Sequence, residues 1–317
     1  MSFLACFALL AAAQTRVPVW IDSDPSAAPG GHEVDDAIAL LQAFGAPELD
    51  IRGISIVFGN TDLVTASRIG REITSKFGPR GLGVHDGAAG PDGLGIETEA
   101  SRALVRELKQ TRLTILALGP LTNVATVVRN RPELAGRIAE VVAVAGRRPG
   151  QRFTSGPAQK IPFRDLNFEL DPEAFRVLLA SGVSIVLAPW EVSSKVWLTR
   201  AGLEAAAKHS GGVAWLLPAV DDWLSLWHRE FGTDGFNPFD ALAAGYLVDR
   251  ADLECERFYV SIEAGPDDTS AAPQPPIKPY LLVRPESSGG RTAMYCFDVR
   301  AGFRHDLLKR LARGSGR

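Results

Sequence analysis

Short apolar runs alternate with stretches of helical periodicity along most of this chain. The alternation of Val17, Val19 and Ile21 predicts a buried strand, and the recurrence of Ile38, Leu41 and neighbouring alanines predicts a helix over 37–44. Further runs rich in Val, Ile and Leu predict strands, and the periodic stretches between them predict helices: strands 51–58, 113–118, 141–145 and 183–188, helices 66–76, 123–128 and 172–180. This alternation favours a single large α/β domain whose central, mostly parallel sheet is flanked by helices.

The late part of the chain departs from this alternation. Residues 265–279 are rich in Pro, Ala and Asp, and apolar runs resume on both sides, at 258–262 and 280–283. We interpret 265–279 as a loop between two late strands. In a parallel sheet, ligands bind at the carboxyl ends of the strands. Residues 22–36, Asn60, Thr122 and the residues after Ala145 are therefore expected along one rim.

Four aspartates follow the first predicted strand, at the junction with the first predicted helix: Asp22, Asp24, Asp35 and Asp36. Four carboxylates at one junction repel each other strongly unless a positive charge lies among them. A hard divalent cation, Ca²⁺ or Mg²⁺, would relieve that repulsion because both prefer oxygen ligands. The alternative is that Asp35 caps the helix and the other carboxylates are solvated.

Composition narrows the function classes. Of 317 residues, 46% are apolar, which suffices for a substantial core and excludes a disordered protein. The formal net charge is -3, from 34 basic and 37 acidic residues, and we find no basic tract with interleaved aromatics. A nucleic-acid partner is therefore not expected, and a small-molecule substrate is favoured.

The first residues suggest export. Residues 1–14 form an apolar run that ends in small residues, which is too short for a membrane span and resembles a secretory signal cleaved near Ala13. No basic residue precedes the run. We expect a periplasmic or secreted protein, residues 15–317, without stable membrane insertion. A lipoprotein signal at Cys6, or an uncleaved buried segment in a cytoplasmic protein, is the alternative.

Only Cys255 and Cys296 would remain after cleavage. An oxidising compartment would permit a disulfide between them, but spacing does not decide between a bridge and two separate buried thiols.

Five sequence blocks, in order, carry a resemblance to a known family: Asp22-Ser23-Asp24-Pro25 with Asp35-Asp36-Ala37, then Gly59-Asn60, then Gly119-Pro120-Leu121-Thr122-Asn123, then Asp165-Leu166-Asn167-Phe168 leading to Asp171-Pro172-Glu173-Ala174, and finally Asp240-Ala241-Leu242-Ala243. In these blocks the chain resembles the inosine-uridine type nucleoside hydrolases. That family cleaves the N-glycosidic bond of ribonucleosides with a tightly bound Ca²⁺. The resemblance covers roughly 17–260 and includes an extra loop, 26–34, between the two aspartate pairs.

The resemblance implies roles for individual residues. Asp24, Asp36, Asp240 and the backbone carbonyl of Thr122 would hold Ca²⁺, with Asp22 orienting a ligand carboxylate. Asp24 would also take the proton of a metal-bound water as general base. The ribose hydroxyls would contact several further side chains: Asp35, Asn60, Asn167, Asp165 where the family usually has Glu, and Gln159 near the 5′ end. A dimer or tetramer and an inverting attack that favours ribose over deoxyribose are also implied.

The chain departs from the family pattern in two places, one of which affects activation of the leaving group and the other access to the site. Phe239 stands where the inosine-uridine branch usually has a His that protonates the departing base. Trp223 and Trp227 lie where relatives stack aromatics against the base, which predicts a preference for purines; core packing at i, i+4 is the alternative for this pair. His32 and His228 are candidate proton donors or solvated loop residues. The loop 26–34 either bulges away from the metal or caps the ribose site.

Two other functions are compatible with the residues. One is an exported nucleoside- or sugar-binding relative without efficient turnover. The other is a haloacid-dehalogenase-type phosphatase, because Asp22-Ser23-Asp24-Pro25-Ser26 after a strand resembles its nucleophile motif. That fold needs a distant acidic pair, whereas Asp35 and Asp36 follow closely and open the next helix. Release of ribose distinguishes the first alternative, and hydrolysis of p-nitrophenyl phosphate the second.

Overall fold

The computed structural model describes residues 16–28, 30, 32–286 and 290–313, so the predicted signal segment, 1–14, lies outside the described residues. The strands, in chain order, are β1 Val17–Ser23, β2 Leu49–Ile56, β3 Val84–Asp86, β4 Leu113–Ala117, β5 Ile138–Ala143, β6 Ile185–Leu187, β7 Leu198–Thr199, β8 Gly235–Phe236, β9 Leu253–Pro266, β10 Ile277–Arg284 and β11 Arg291–Val299. The helices are α1 Asp35–Phe44, α2 Leu63–Phe77, α3 Glu99–Gln110, α4 Thr122–Asn130, α5 Leu166–Leu170, α6 Pro172–Ser181, α7 Trp190–Ser193, α8 Arg200–Ala207, α9 Gly211–Phe231, α10 Phe239–Val248 and α11 Phe303–Arg313, with short 3₁₀ turns at Pro91–Gly93, Pro132–Arg137 and Arg250–Asp252.

A single large sheet organises the fold, with the strand order β10-β9-β11-β6-β5-β4-β1-β2-β3. The strands from β3 to β11 in that order pair in parallel, and β9 runs antiparallel to both of its neighbours. β7 and β8 form a separate small antiparallel pair. The predicted central, mostly parallel sheet is therefore confirmed.

Helices cover both faces of this sheet. One hydrophobic cluster joins the sheet to α1, α9 and α10, and a second cluster joins it to α3, α4 and α6. α10 is buried from Asp240 to Val248, and it packs against α1. Both helices begin at the same end of the sheet, so this packing brings their amino termini together.

The predicted loop 265–279 is too long. β9 continues to Pro266 and β10 begins at Ile277, because Gly265 pairs with Lys278 and Pro266 with Ile277 in an antiparallel ladder. The backbone ladder overrides the low strand propensity of Gly and Pro at these edge positions. Only 267–276 connect the two strands.

β9 and β11 are also joined covalently. Cys255 and Cys296 are directly opposite each other in the ladder, and their sulfurs form a disulfide. Of the two states that the sequence left open for these cysteines, the structure has the bridge.

Among the residues that the structure describes, no helix is both long and apolar enough to cross a bilayer.

Candidate active site

The amino termini of α1 and α10 bring three carboxylates together. Asp35 and Asp36 lie in the first turn of α1 and Asp240 in the first turn of α10. One ligand atom from each lies within 4.8 Å of those of the other two, and all three residues are buried. Helix amino termini favour negative charge, which offsets part of the cost of this cluster. Residues about two hundred positions apart in the chain thus converge on one point.

Asp24 lies beside this cluster in a cradle of backbone. Its Oδ2 accepts the backbone N–H of Asn60 at 2.8 Å, and its own backbone N–H donates to Asp36 Oδ1 at 3.1 Å. A Cβ at Gly59 would lie 1.9 Å from Asp24 Oδ2, and one at Gly119 would lie 2.6 Å from Oδ1. Both positions require glycine because the carboxylate lies against the backbone. Asp24 Oδ1 is buried without a hydrogen-bond partner.

Asp22 is as fully buried as Asp24, and neither Asp22 nor Asp24 nor Asp36 is among the residues that line the cavity described below. Its Oδ1 accepts hydrogen bonds from the Asn123 amide at 2.8 Å and from the Ser55 hydroxyl. Its Oδ2 is buried without a partner. Burial raises the pKa of Asp22 to about 7, against the opposing effect of these two hydrogen bonds. Asp22 thus adds a negative charge behind Asp24 and does not face the substrate space.

The whole cluster carries raised carboxyl pKa values. Burial, followed by the charge of Asp36, raises the pKa of Asp24 well above its usual range. Burial and then the neighbouring Asp35 raise the pKa of Asp36 to about 7, and the same two causes raise the pKa of Asp240 well above its usual range. For Asp35 the causes are burial and then the charge of Glu33. Crowding and burial raise these pKa values because they disfavour the charged form. A cation bound among the carboxyl groups would favour the charged form and so lower the pKa values again.

A cavity of about 300 Å³ opens beside these carboxylates. The lining residues are of two main kinds, besides Arg164 and a few aliphatic residues. We call the polar set the polar end, and it consists of Glu33, Asp35, Asn60, Asp165, Asn167 and Asp240; we call the aromatic set the aromatic end, and it consists of Phe153, Phe163, Trp190, Trp223 and Phe239. The loop 144–165 that follows β5 contributes much of this wall. A cavity of this size, mostly apolar with a few convergent polar groups, suits a small ligand.

Most of the predicted sugar contacts line this cavity. Asn60 donates from its amide to Asp36 Oδ2 at 3.2 Å, and Asn167 donates to the carbonyls of Leu118 and Val144 at 2.6 and 3.1 Å, across the ends of β4 and β5. Asp165 accepts the backbone N–H of Gly146 at 2.9 Å. Burial raises the pKa of Asp165 to about 6, with the positive charge of Arg147 opposing that rise.

Thr122 opens α4 and is fully buried. Its hydroxyl donates to Asp171 Oδ2 at 2.6 Å. That bond ties the start of α4 to the start of α6, where Asp171 also caps the helix.

Two predicted substrate contacts lie away from the cavity. Gln159 accepts from the backbone N–H of Ser155 at 2.7 Å and donates to the carbonyls of Phe153 and Ile161, so its amide organises its own loop. Trp227 is fully buried and packs against neighbouring aromatic rings, and it does not line the cavity. Trp223, one turn earlier on α9, does line it. The core-packing alternative therefore describes Trp227.

Neither candidate histidine lines the cavity. His32 is exposed, and His228 is exposed and faces Asp234 at 3.1 Å. Both are therefore solvated, although His228 lies in the last turn of α9 and not in a loop.

Glu33 was not predicted from the sequence, yet it lines the polar end of the cavity. Burial raises its pKa to about 7, and it hydrogen-bonds with Asp35. The loop that carries it is anchored, because the Gly30 backbone N–H donates to Asp222 of α9 at 2.7 Å. Of the two alternatives for loop 26–34, its described residues favour capping the site. The sequence signal that could have identified Glu33 was its acidic side chain within the extra loop, next to the aspartate pair at 35 and 36.

Comparison with known proteins agrees with this geometry. The family model described as "Inosine-uridine preferring nucleoside hydrolase" matches residues 19–277. The chain belongs to this family. Its members are metal-dependent nucleoside hydrolases, so the chain is a glycosidase by family, and the phosphatase alternative loses its basis.

Individual relatives are distant in sequence. The chain is 27% identical over 262 residues to the pyrimidine-specific ribonucleoside hydrolase RihA of Klebsiella pneumoniae, covering 73% of this chain and 79% of that protein. Among solved structures, a plant nucleoside hydrolase, PpNRh1, matches with a TM-score of 0.76 at 20% identity, covering 94% of this chain and 98% of the other. A purine-preferring ribonucleoside hydrolase from Gardnerella vaginalis matches with a TM-score of 0.73 at 18% identity, covering 93% and 98%. The two structural matches support the fold.

Proposed function

We propose that this protein hydrolyses the N-glycosidic bond of ribonucleosides to ribose and free base, with a bound Ca²⁺ and with Asp24 as general base. One observation carries the proposal: the carboxylates of Asp35, Asp36 and Asp240, from α1 and α10, converge beside a cavity whose lining combines polar and aromatic side chains. That arrangement suits a ligand with a hydroxylated half and a flat, apolar half, which describes a nucleoside.

The donor set fits a hard cation. Asp24 Oδ1 is a buried carboxylate oxygen without a partner, beside three further buried carboxylates whose charges are not neutralised. The ligands that we assign are Asp24, Asp36, Asp240 and the backbone carbonyl of Thr122. Oxygen ligands that include a carbonyl suit Ca²⁺ better than Mg²⁺, which keeps several waters and demands near-octahedral geometry. When bound, such an ion lowers the pKa of water and neutralises the carboxylates around it.

The remaining steps belong to the side chains. Asp24 is held by Asn60 and by the glycines at 59 and 119, so one carboxylate oxygen stays free to accept a proton. Asp35, Asn60, Asp165 and Asn167 would orient the ribose by its hydroxyls. As the base departs, positive charge develops on the sugar ring, and the surrounding carboxylates stabilise that charge.

We also propose that purines are preferred. None of the residues described as lining the cavity is a histidine, and Phe239 cannot donate a proton. In that case the base would leave after protonation by solvent, helped by stacking of the base on the aromatic residues of the cavity. Such stacking is stronger for the larger purine ring. The pyrimidine-specific relative argues in the other direction, so the comparison of inosine with uridine decides the question.

We also propose that the protein is exported and acts outside the cytosol. The disulfide between Cys255 and Cys296 supports an oxidising compartment, since cytosolic thiols are kept reduced. Assembly as a dimer or tetramer stays an expectation from the family.

The experiment is to incubate the Ca²⁺-loaded protein with inosine, uridine and p-nitrophenyl phosphate, and to measure free ribose and free phosphate. We expect ribose from inosine faster than from uridine, and no phosphate. Faster turnover of uridine would reject the purine preference alone. Tight binding of inosine without release of ribose would favour the binding-protein alternative and reject the proposed activity.

A further inference from the structure

One aromatic ring of the cavity wall differs from the others in how it is held. Trp190 stacks on Phe153, with ring centroids 5.1 Å apart and an interplanar angle of 18°. The Arg147 guanidinium lies 4.0 Å from the centroid of the same Phe153 ring. Phe153 is only 3% exposed, so it offers almost no surface to a ligand, whereas Trp190 is partly exposed and lines the cavity.

The orientation of Trp190 is fixed by hydrogen bonds as well as by stacking. Its indole N–H donates to the Ser155 hydroxyl at 3.2 Å, and Ser155 donates to Asn237 Oδ1. Asn237 is itself held by its amide, which donates to the Val196 carbonyl at 2.8 Å. Trp190 therefore enters the cavity wall as a rigid plane, tied to the residues that lead into α10.

None of Phe163, Trp223 and Phe239 has a stacked aromatic partner among the described residues, and their ring pairs are tilted or edge to face. Phe163 meets Phe231 at 73° and Phe239 at 81°, and Trp223 meets Trp227 at 68°. Such contacts belong to a core packed in a herringbone pattern. A flat ligand seeks a planar partner in offset-stacked geometry, and the Trp190–Phe153 pair is already stacked in that way.

We propose that Trp190 is the platform on which the nucleobase stacks, and that Phe153 and Arg147 position it from behind. This inference rests on the proposed function. The base would extend an existing stack of guanidinium, phenyl ring and indole by one layer. Trp190 then determines affinity for the base and leaves affinity for the sugar unchanged, because the carboxylates hold the sugar.

Arg147 is a positioning residue in this arrangement. It is 2% exposed, and its guanidinium pairs with Asp268 at 2.7 Å and lies 3.8 Å from Glu169. Lys278 contacts Asp268 and Glu169 as well, so the charges in this part of the wall are balanced. Replacing Arg147 by Lys keeps the positive charge but removes the flat face that supports Phe153.

The test compares a ligand that has a base with one that lacks it. For wild type, Trp190→Ala and Trp190→Phe, we would measure the KM for inosine, the dissociation constant for hypoxanthine by equilibrium dialysis, and the inhibition constant for ribose. Loss of one base–aromatic stack predicts a weakening of about 10- to 100-fold for inosine and hypoxanthine in Trp190→Ala. The inhibition constant for ribose should stay unchanged, and Trp190→Phe should recover most of the loss.

Trp215→Ala is the matched control. Trp215 lies on α9 and packs against Phe77 and Lys76, and it does not line the cavity. All three constants should therefore stay at the wild-type values. Arg147→Lys should weaken inosine and hypoxanthine by a smaller factor than Trp190→Ala, with ribose unaffected.

Two outcomes would overturn the inference. In one, Trp190→Ala binds hypoxanthine and inosine as wild type does, while Trp223→Ala loses both, which would move the platform to Trp223. In the other, Trp190→Ala weakens ribose as much as inosine, which would give Trp190 a merely structural role. If wild type does not release ribose from inosine, the proposed function fails, and the dialysis of hypoxanthine still decides the role of Trp190.

Discussion

The two ends of the cavity are built in different ways. The acidic end, taken here to include the buried carboxylates beside the cavity, consists mainly of side chains at the ends of regular elements, with Asp24 after β1, Asp35 and Asp36 opening α1, and Asp240 opening α10. The aromatic end consists largely of residues from the loop after β5 and from helix faces, held by ring stacking and by single hydrogen bonds. In the proposed function, the ends of regular elements hold the groups that perform the chemistry, whereas the groups that would contact the base come from a loop and from three helices.

The sharpest way to break this comparison is to remove Asp24, the proposed general base. Asp24→Asn should lower kcat by about 10²- to 10⁴-fold for every nucleoside tested, because the loss falls on the chemical step and not on recognition of the base. The measurement is steady-state hydrolysis of inosine and uridine, with circular dichroism to verify folding. A loss confined to one of the two substrates would show that Asp24 takes part in selecting the base.

Trp223 and Trp227, both on α9, distinguish a ring that lines the cavity from a ring that packs in the core. Trp227→Ala should lower the free energy of unfolding by about 3–5 kcal/mol because a fully buried ring is deleted. Trp223→Ala should cost much less stability, because its side chain is partly exposed and lines the cavity. Denaturant unfolding of both variants is the measurement. Equal losses of stability would contradict the separation of the two roles.

Stability of the metal-free protein should depend on pH through the acidic end. The pKa values of Asp22, Asp36 and Glu33 rise to about 7 in the folded state. The folded state therefore holds more protons than the unfolded state between the ordinary carboxyl pKa and about 7, so the free energy of unfolding falls as pH rises through that window.

Calcium should reverse this trend. Its ligands must be deprotonated, so stabilisation by Ca²⁺ should be larger at about pH 8 than at about pH 5, and should reach about 4 kcal/mol at a thousandfold excess over Kd. Thermal unfolding with chelator and with Ca²⁺ at both pH values measures it. A metal-free protein that becomes more stable as pH rises would contradict the assignment of uncompensated buried carboxylates.

The smallest expected effect on catalysis concerns Asp165, which lines the cavity beside the aromatic residue Phe163. The pKa of Asp165 is about 6, so below that pH its carboxyl is protonated and accepts a ribose hydroxyl less well. Asp165→Asn should lower kcat/KM by about tenfold, as expected for one hydrogen bond, and should remove a decline in kcat/KM below about pH 6. The pH profiles of wild type and variant decide this, and identical acidic limbs would exclude Asp165 from substrate binding.

The sequence predicted the acidic end better than the aromatic end, for a physical reason. Asp22, Asp24, Asp35 and Asp36 flank a strand and a helix that hydrophobic periodicity predicts, so their common rim followed from the parallel sheet. Asp240 is far along the chain, and only the resemblance to the family joined it to the others. The packing of α10 on α1 then supplied the proximity.

The aromatic end depends on contacts between distant residues, which no local pattern encodes. Trp223 and Trp227 share one helix face, but only the fold decides which of them the cavity exposes. Gln159 lies in an aperiodic loop, where an offset from a motif does not define the direction of the side chain. Trp190 has no distinguishing local signal, and Glu33 has only its position as an acidic residue in the extra loop. β9 and β10 extend into a Pro- and Gly-containing segment because of the ladder between them.

The most direct test of the central claim is to measure inosine hydrolysis and bound Ca²⁺ in the same samples during a calcium titration of the metal-free protein. We predict that activity rises in proportion to bound Ca²⁺ and reaches its plateau at about one ion per chain, and that Asp240→Asn shows neither tight binding nor activity. Full activity in the chelated protein, or tight Ca²⁺ binding that survives in Asp240→Asn, would contradict the claim that these carboxylates form one catalytic calcium site.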